Sequence, residues 1–136
     1  MTFWRWVRTD LVYAVHESLL AQHGGPDGIR DKNAVESALA RPEQLDAYGE
    51  PKPDAADLAA AYAYAYGLAR NHGFSDGNKR TAWVVARLFL SDNHIKLNFD
   101  QTDAVYTMES VASGALGESE LADWFRQRIH PVSGGY

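Results

Sequence analysis

The chain has 136 residues, a formal net charge of −5 and no cysteine, which fits one domain and excludes disulfides, thiolate zinc sites and a cysteine nucleophile. Hydrophobic residues make up 46% and charged residues 23%, the balance of a folded globular domain that can bury a core without a disulfide or structural metal. The acidic balance argues against a broad nucleic-acid-binding surface. The N-terminus MTFWRWVRTD lacks the apolar run of a signal peptide, and no stretch approaches a membrane span, so a cytoplasmic protein with no direct nucleic-acid or membrane partner is expected.

In chain order, the aromatic and β-branched segment Phe3 to Val7 is compatible with a short strand. From about Thr9 the pattern is helical. Thr9 or Asp10 is placed to cap it, Leu11, Val15 and Leu19 fall on one face, and Gly24-Gly25 ends it. Asp31 is placed to cap a second helix with an apolar edge of Val35, Ala38 and Leu39. Pro42 is expected to end it near Arg41, and the proline-rich stretch from Pro42 to Pro53 reads as a surface connection.

Asp54 and Asp57 favour a helix start, and the helix that follows, about Ala55 to Asn71, is apolar on two sides. Such a helix is central or lines a groove. Tyr62, Tyr64 and Tyr66 suit core packing first and a partner groove second. A second helix, about Asn78 to Asp92, carries Ala82, Trp83, Val84, Val85, Leu88, Phe89 and Leu90 and is expected to be the core helix. Ile95 to Phe99 alternates like a strand. Helices at about Thr102 to Ala112 (Val105, Met108, Val111, Ala112) and Ser119 to Ile129 (Leu121, Trp124, Phe125, Ile129) follow. The expectation is an all-α helical bundle of five to six or more helices, with at most one short two-stranded ribbon. It forms a single domain over residues 1–130 with a loose tail at 131–136.

The chemistry concentrates in Asn71 to Ala82, NHGFSDGNKRTA, between the two most apolar helices. Gly77 and Asn78 open the second of them, where unpaired amide groups and the positive end of the dipole gather. Lys79 and Arg80 add two cations at that terminus, an unfavourable placement that a bound anion would offset. Phosphate suits the amides, the glycine and the two cations. Asp76 can hold Mg²⁺ that bridges phosphate oxygens, and His72 can take a proton from an attacking hydroxyl. Taken singly, each part also has a structural reading: a capping histidine, an Asp-Gly-Asn turn, a solvated Lys-Arg pair. Together they form a kit for group transfer from a nucleotide. Gly73 and Gly77 stand too close for a P-loop and no strand precedes them, while the kinase signature sequences are absent. His16, His23, His94 and His130 show no zinc-ligand spacing.

The segment His72-Gly73-Phe74-Ser75-Asp76-Gly77-Asn78-Lys79-Arg80 resembles the Fic/Doc family signature H-x-F-x-[DE]-[GA]-N-[GK]-R. HGGPDGIRDKNAVESALARP, GLARNHGF and RTAWVVARLFL are similar to the Doc-like (death-on-curing) branch, and the likeness spans roughly Thr9 to Trp124. The resemblance implies His72 as general base, Asp76 as Mg²⁺ ligand, Gly77, Asn78, Lys79 and Arg80 as the nucleotide phosphate pocket, and Phe74 as a structural plug. The adenylylating branch reads H-P-F-x-x-G-N-G-R-x-x-R. Here Lys79 replaces its second Gly and Trp83 its second Arg, as in the Doc pattern. That pattern implies transfer of the γ-phosphate of ATP to a threonine of elongation factor Tu, arresting protein synthesis. It also implies a small Phd-like antitoxin covering the active-site groove. An internal inhibitory helix of the form [ST]-x-x-x-E-[GN] is not found, since Ser113 is followed by Gly117 at the glutamate position. An adenylyltransferase on the same scaffold and a catalytically inert antitoxin-binding or co-repressor relative are the alternatives.

Overall fold

The computed structural model describes residues 4–23, 32–67 and 78–131. Six helices and one short ribbon follow one another as α1 (Thr9–His23), α2 (Lys32–Tyr48), α3 (Ala55–Gly67), α4 (Asn78–Asp92), β1 (Ile95–Leu97), α5 (Gln101–Ser113), α6 (Glu118–Arg126) and β2 (Ile129–Pro131). The all-α expectation holds.

The centre of the molecule is α3. Ala55, Ala56, Leu58, Ala59, Ala60, Ala61, Tyr62 and Ala63 are all buried, and the helix packs against α2, α4, α5 and α6. Its many alanines permit this, because a helix with small side chains on every face lets neighbours approach from all directions. Its start is a reciprocal cap. The Asp57 N–H donates to Asp54 Oδ1 at 2.9 Å, and the Asp54 N–H donates to Asp57 Oδ2 at 3.0 Å. Arg126 of α6 reaches back to the same carboxylates, at 2.9 Å to Asp54 and 2.8 Å to Asp57, and also pairs with Asp123. Hydrogen bonding from Arg126 holds the Asp54 carboxyl below its ordinary range. These exposed pairs contribute about 0–1 kcal/mol each and serve to seat α6 on the start of α3.

By comparison α4, expected to be the core helix, is one-sided. Ala82, Val85, Ala86, Phe89 and Leu90 are buried, whereas Trp83, Val84 and Leu88 are half-buried and Arg87 is exposed. Phe89 anchors the extended N-terminal segment, with ring centroids 5.8 Å from Trp4, 5.8 Å from Trp6 and 5.3 Å from Tyr62. The described part of that segment, residues 4–8, forms no strand. Asn93 instead clamps it, accepting from the Arg5 N–H at 2.8 Å and donating to the Arg5 carbonyl at 2.9 Å. The ribbon pairs β1 with β2, antiparallel, with Lys96 opposite His130.

Other elements depart from local expectation. The second helix runs through Pro42 to Tyr48, although proline removes the N–H bond to residue 38. Pro42 is itself buried, and Leu39 and Leu45 before and after it pack on one core, which offsets a cost of about 3 kcal/mol. The helix stops at Gly49, whose N–H donates to the Leu45 carbonyl at 2.8 Å. A Cβ on Gly49 would lie 2.5 Å from that oxygen. In α1 the inward line is Val12 and His16, with Leu11 37% exposed and Val15 and Leu19 half-buried. One residue is a 100° rotation on a helix, so the polar ring of His16 misdirects the apolar pattern by that step. The Arg8 carbonyl accepts the first bond of α1, from the Val12 N–H at 3.1 Å, so Arg8 rather than Thr9 or Asp10 stands at the cap. Val105 of α5 is 50% exposed, and Ala104, Thr107, Met108 and Val111 face inward. The last helix ends at Arg126, and Ile129 belongs to β2. The first residue of the expected tail, Pro131, also lies in β2; residues 132–136 lie outside the described residues.

Of the three α3 tyrosines, Tyr62 is core, Tyr64 is half-buried against the core, and the Tyr66 side chain lies outside the described residues. The Val7 N–H donates to the Tyr62 hydroxyl at 3.0 Å. Burial pushes that phenol up to about 12 from 10.0. Because the folded value exceeds the unfolded one, the stabilisation is complete below about pH 10 and is lost as pH rises towards about 12. Tyr62→Phe leaves the Val7 N–H without its acceptor and is expected to cost about 1–2 kcal/mol at neutral pH. The variant should lose stability less steeply than wild type over the alkaline window. Urea titrations at about pH 7 and about pH 11 check both, and equal alkaline losses would show that Tyr62 does not titrate as stated.

Candidate active site

Among the described residues helices α3 and α4 share the most extensive helix–helix contact, and residues 68–77 connect them. His72, Phe74, Asp76 and Gly77 fall in that connection and lie outside the described residues. The helix expected from about Asn78 begins at Asn78, so Asn78, Lys79 and Arg80 form the first turn of α4. The side chains of Asn78 and Lys79 lie outside the described residues; Arg80 is exposed.

The electrostatics of this turn are unusual for a helix start. It contains no acidic residue, which α2 also lacks, and it carries two cations, whereas α1, α3, α5 and α6 all have Asp or Glu in their first turns. First-turn amide groups have no intrahelical partner, so the positive end of the helix dipole falls on a turn whose sequence includes Lys79 and Arg80. An anion is the natural complement. Among the described residues no group of three His, Asp or Glu side chains is placed to hold a metal.

Immediately behind the turn the helix is buried and fixed. Thr81 is fully buried, and its Oγ1 lies 3.3 Å from Nδ1 of His16, itself 2% exposed on α1. The sequence pointed to His16 only as a histidine without zinc-ligand spacing, and to no role for Thr81. The available signal was position: His16 is four residues after Val12, on the same inward face of α1.

Trp83 packs within α4's contact with α6. Its ring meets Phe99 edge-on at 5.0 Å, Trp124 at 6.0 Å and Phe125 in a stack at 6.3 Å. Arg87, one turn on, lies over Trp83 at 5.4 Å and Phe99 at 5.2 Å. The position where an adenylylating pattern carries a second arginine is therefore occupied by a packing residue.

The family model of the Fic/DOC family matches residues 6–90, which include α1 to most of α4 and the connection that carries the motif. The chain belongs to the Fic/Doc family. Within that family it is 32% identical over 123 residues to the protein kinase Doc of Escherichia phage P1, covering 90% of this chain and 94% of that protein. It is 43% identical over 93 residues to the toxin Doc of Mycolicibacterium smegmatis, covering 66% of this chain and 69% of that protein. Similarity to the phage P1 protein thus covers nine-tenths of this Fic/Doc chain, more than the family match does. No helix among the described residues is long and apolar enough to cross a membrane.

Proposed function

We propose that this Fic/Doc protein is a Doc-like toxin that transfers the γ-phosphate of ATP to a threonine hydroxyl of a translation protein such as elongation factor Tu. The observation that carries the reading is the motif from His72 to Arg80, which ends in the cationic, acid-free first turn of α4. His72 takes the proton of the target hydroxyl. The hydroxyl oxygen forms the new bond to the γ-phosphorus, the bond from that phosphorus to the bridging oxygen breaks, and ADP leaves with the electron pair. The first-turn amides of α4, with Asn78, Lys79 and Arg80, hold the phosphates, and Gly77 lets the backbone come close. Phe74 acts as an apolar plug that fixes the loop.

Asp76 is the residue that would hold Mg²⁺. One hard carboxylate oxygen together with phosphate oxygens is a donor set that suits this ion, which neutralises phosphate charge when bound. The names of the two relatives, a protein kinase and a toxin, support the reading. A toxin of this kind is held inactive by a small antitoxin protein, Phd-like in character, lying across the groove.

Lys79 is the residue that separates phosphate from AMP transfer. A lysine in place of the glycine of the adenylylating pattern keeps a triphosphate from lying along the backbone in the adenylylating direction, and Trp83 offers no second guanidinium to clamp it. Incubation of wild type with a cell lysate and ATP labelled on the α- or the γ-phosphate should give label on protein from the γ position alone. Lys79→Gly should then divert part of the product to α-label. Retention of α-label by wild type would make the protein an adenylyltransferase; no label from either position, and no growth arrest on expression without a neighbouring antitoxin gene, would make it an inert binding relative.

A further inference from the structure

We propose that His16 is a positioning residue for the nucleotide phosphates, acting through Thr81 to fix how the first turn of α4 presents its amide groups. The inference rests on the phosphate-transfer reading above. It begins from a buried polar contact that links α1 to α4, His16 Nδ1 to Thr81 Oγ1 at 3.3 Å. The two residues are 2% and 0% exposed, and around them the same helices bury Val12, Ala82 and Val85.

An apolar pair would hold two helices together at least as well there, without the desolvation that hydroxyl and imidazole undergo. What a hydrogen bond adds is direction. Apolar contacts tolerate a small rotation or slide of one helix on another, whereas a donor and acceptor must keep one separation and one alignment. Thr81 follows Arg80 directly and lies one helical turn from Asn78. A rotation of α4 that stretched the His16–Thr81 bond would turn the amides of residues 78–80 by the same angle. Ligand geometry is sensitive to displacements of this size. Thr81 makes no phosphate contact in this reading, so the pair acts on the turn and not on the ligand.

The test compares full-length wild type, Thr81→Val and Thr81→Ser by calorimetric binding of ADP with Mg²⁺, by KM and kcat for ATP, and by thermal midpoint. Valine keeps the shape of threonine and removes the hydroxyl; serine keeps the hydroxyl. Thr81→Val should weaken nucleotide binding and raise KM by about three- to tenfold, the effect of one net hydrogen bond, with kcat within about twofold. Thr81→Ser should stay within about twofold of wild type on every constant. A second pair covers the case in which Thr81→Val does not fold. His16→Asn keeps a polar atom near the Nδ1 position and should bind as wild type does, whereas His16→Gln carries it one bond too far and should bind about three- to tenfold more weakly. Wild-type nucleotide constants in folded Thr81→Val, or equal constants in the two His16 variants, would reduce the pair to core packing and overturn the inference. A wild type that binds no nucleotide would overturn the phosphate reading itself, a separate result visible before any variant is made.

Discussion

His72→Ala is expected to lower phosphate transfer by about 10²- to 10⁴-fold while leaving the fold and nucleotide binding in place. The attacking hydroxyl is a poor nucleophile until its proton is removed, and an imidazole ordinarily titrates close enough to neutrality to accept that proton and remain largely unprotonated beforehand. The other parts of the machinery, namely a phosphate-holding helix start and the cations Lys79 and Arg80, act on charge and position rather than on the proton. They should therefore persist in the variant. This gives a diagnostic split, with kcat collapsing and the dissociation constant for ATP unchanged. Rates of γ-label incorporation beside calorimetric binding would read it directly. Transfer within tenfold of wild type would exclude His72 as the base. A parallel loss of binding and helical circular dichroism would mean that the histidine is structural.

The largest expected effect on stability is at Phe89. Phe89→Ala should cost about 3–5 kcal/mol, the range for removing a fully buried aromatic side chain and leaving part of its volume empty. Phe89 is 0% exposed and sits where three elements meet: α4, Tyr62 of α3, and the N-terminal segment through Trp4 and Trp6. Collapse around the missing ring is restricted, because the Asn93 clamp on Arg5 and the Val7 bond to Tyr62 hold the N-terminal segment at a fixed height. Edge and offset contacts with the three rings add about 0.5–1.5 kcal/mol per pair beyond burial. A domain of ordinary stability has about 5–15 kcal/mol in total, so the variant would be close to unfolding. Urea titration followed by tryptophan fluorescence should show a much lower midpoint with an unchanged slope. A loss under about 1 kcal/mol would mean that the N-terminal segment closes over the gap and that Phe89 is not its anchor.

Fold and chemistry occupy different parts of the chain. The core built on α3 and α4 sets the relative position of the two helices, and the chemistry is carried by the chain between them. Trp83 shows how the two are joined. A residue of the motif-bearing helix that would otherwise be available for a ligand is committed to the aromatic contact with Trp124 and Phe125 on α6.

Much of this was legible in the sequence because it is local. The start of α4 at Asn78 follows from Gly77 ahead of an apolar run, the start of α3 from the acidic residues Asp54 and Asp57, and the all-α class from helical spacing in every long segment. The candidate site is a run of consecutive residues, so its chemistry too could be read before any fold was known. What only the tertiary structure decided is what faces what. The segment at β1 chose Ile129–Pro131 as its partner and left the N-terminal aromatics to pack on Phe89. The second helix passed through Pro42 because core contacts on both sides outweighed a local penalty. Arg126 found Asp54 and Asp57, and His16 found Thr81, across separations along the chain that no periodicity records. Helix starts, caps and motifs depend on neighbours a few residues away, whereas pairing and the choice of buried face depend on which surfaces meet once the whole chain has condensed.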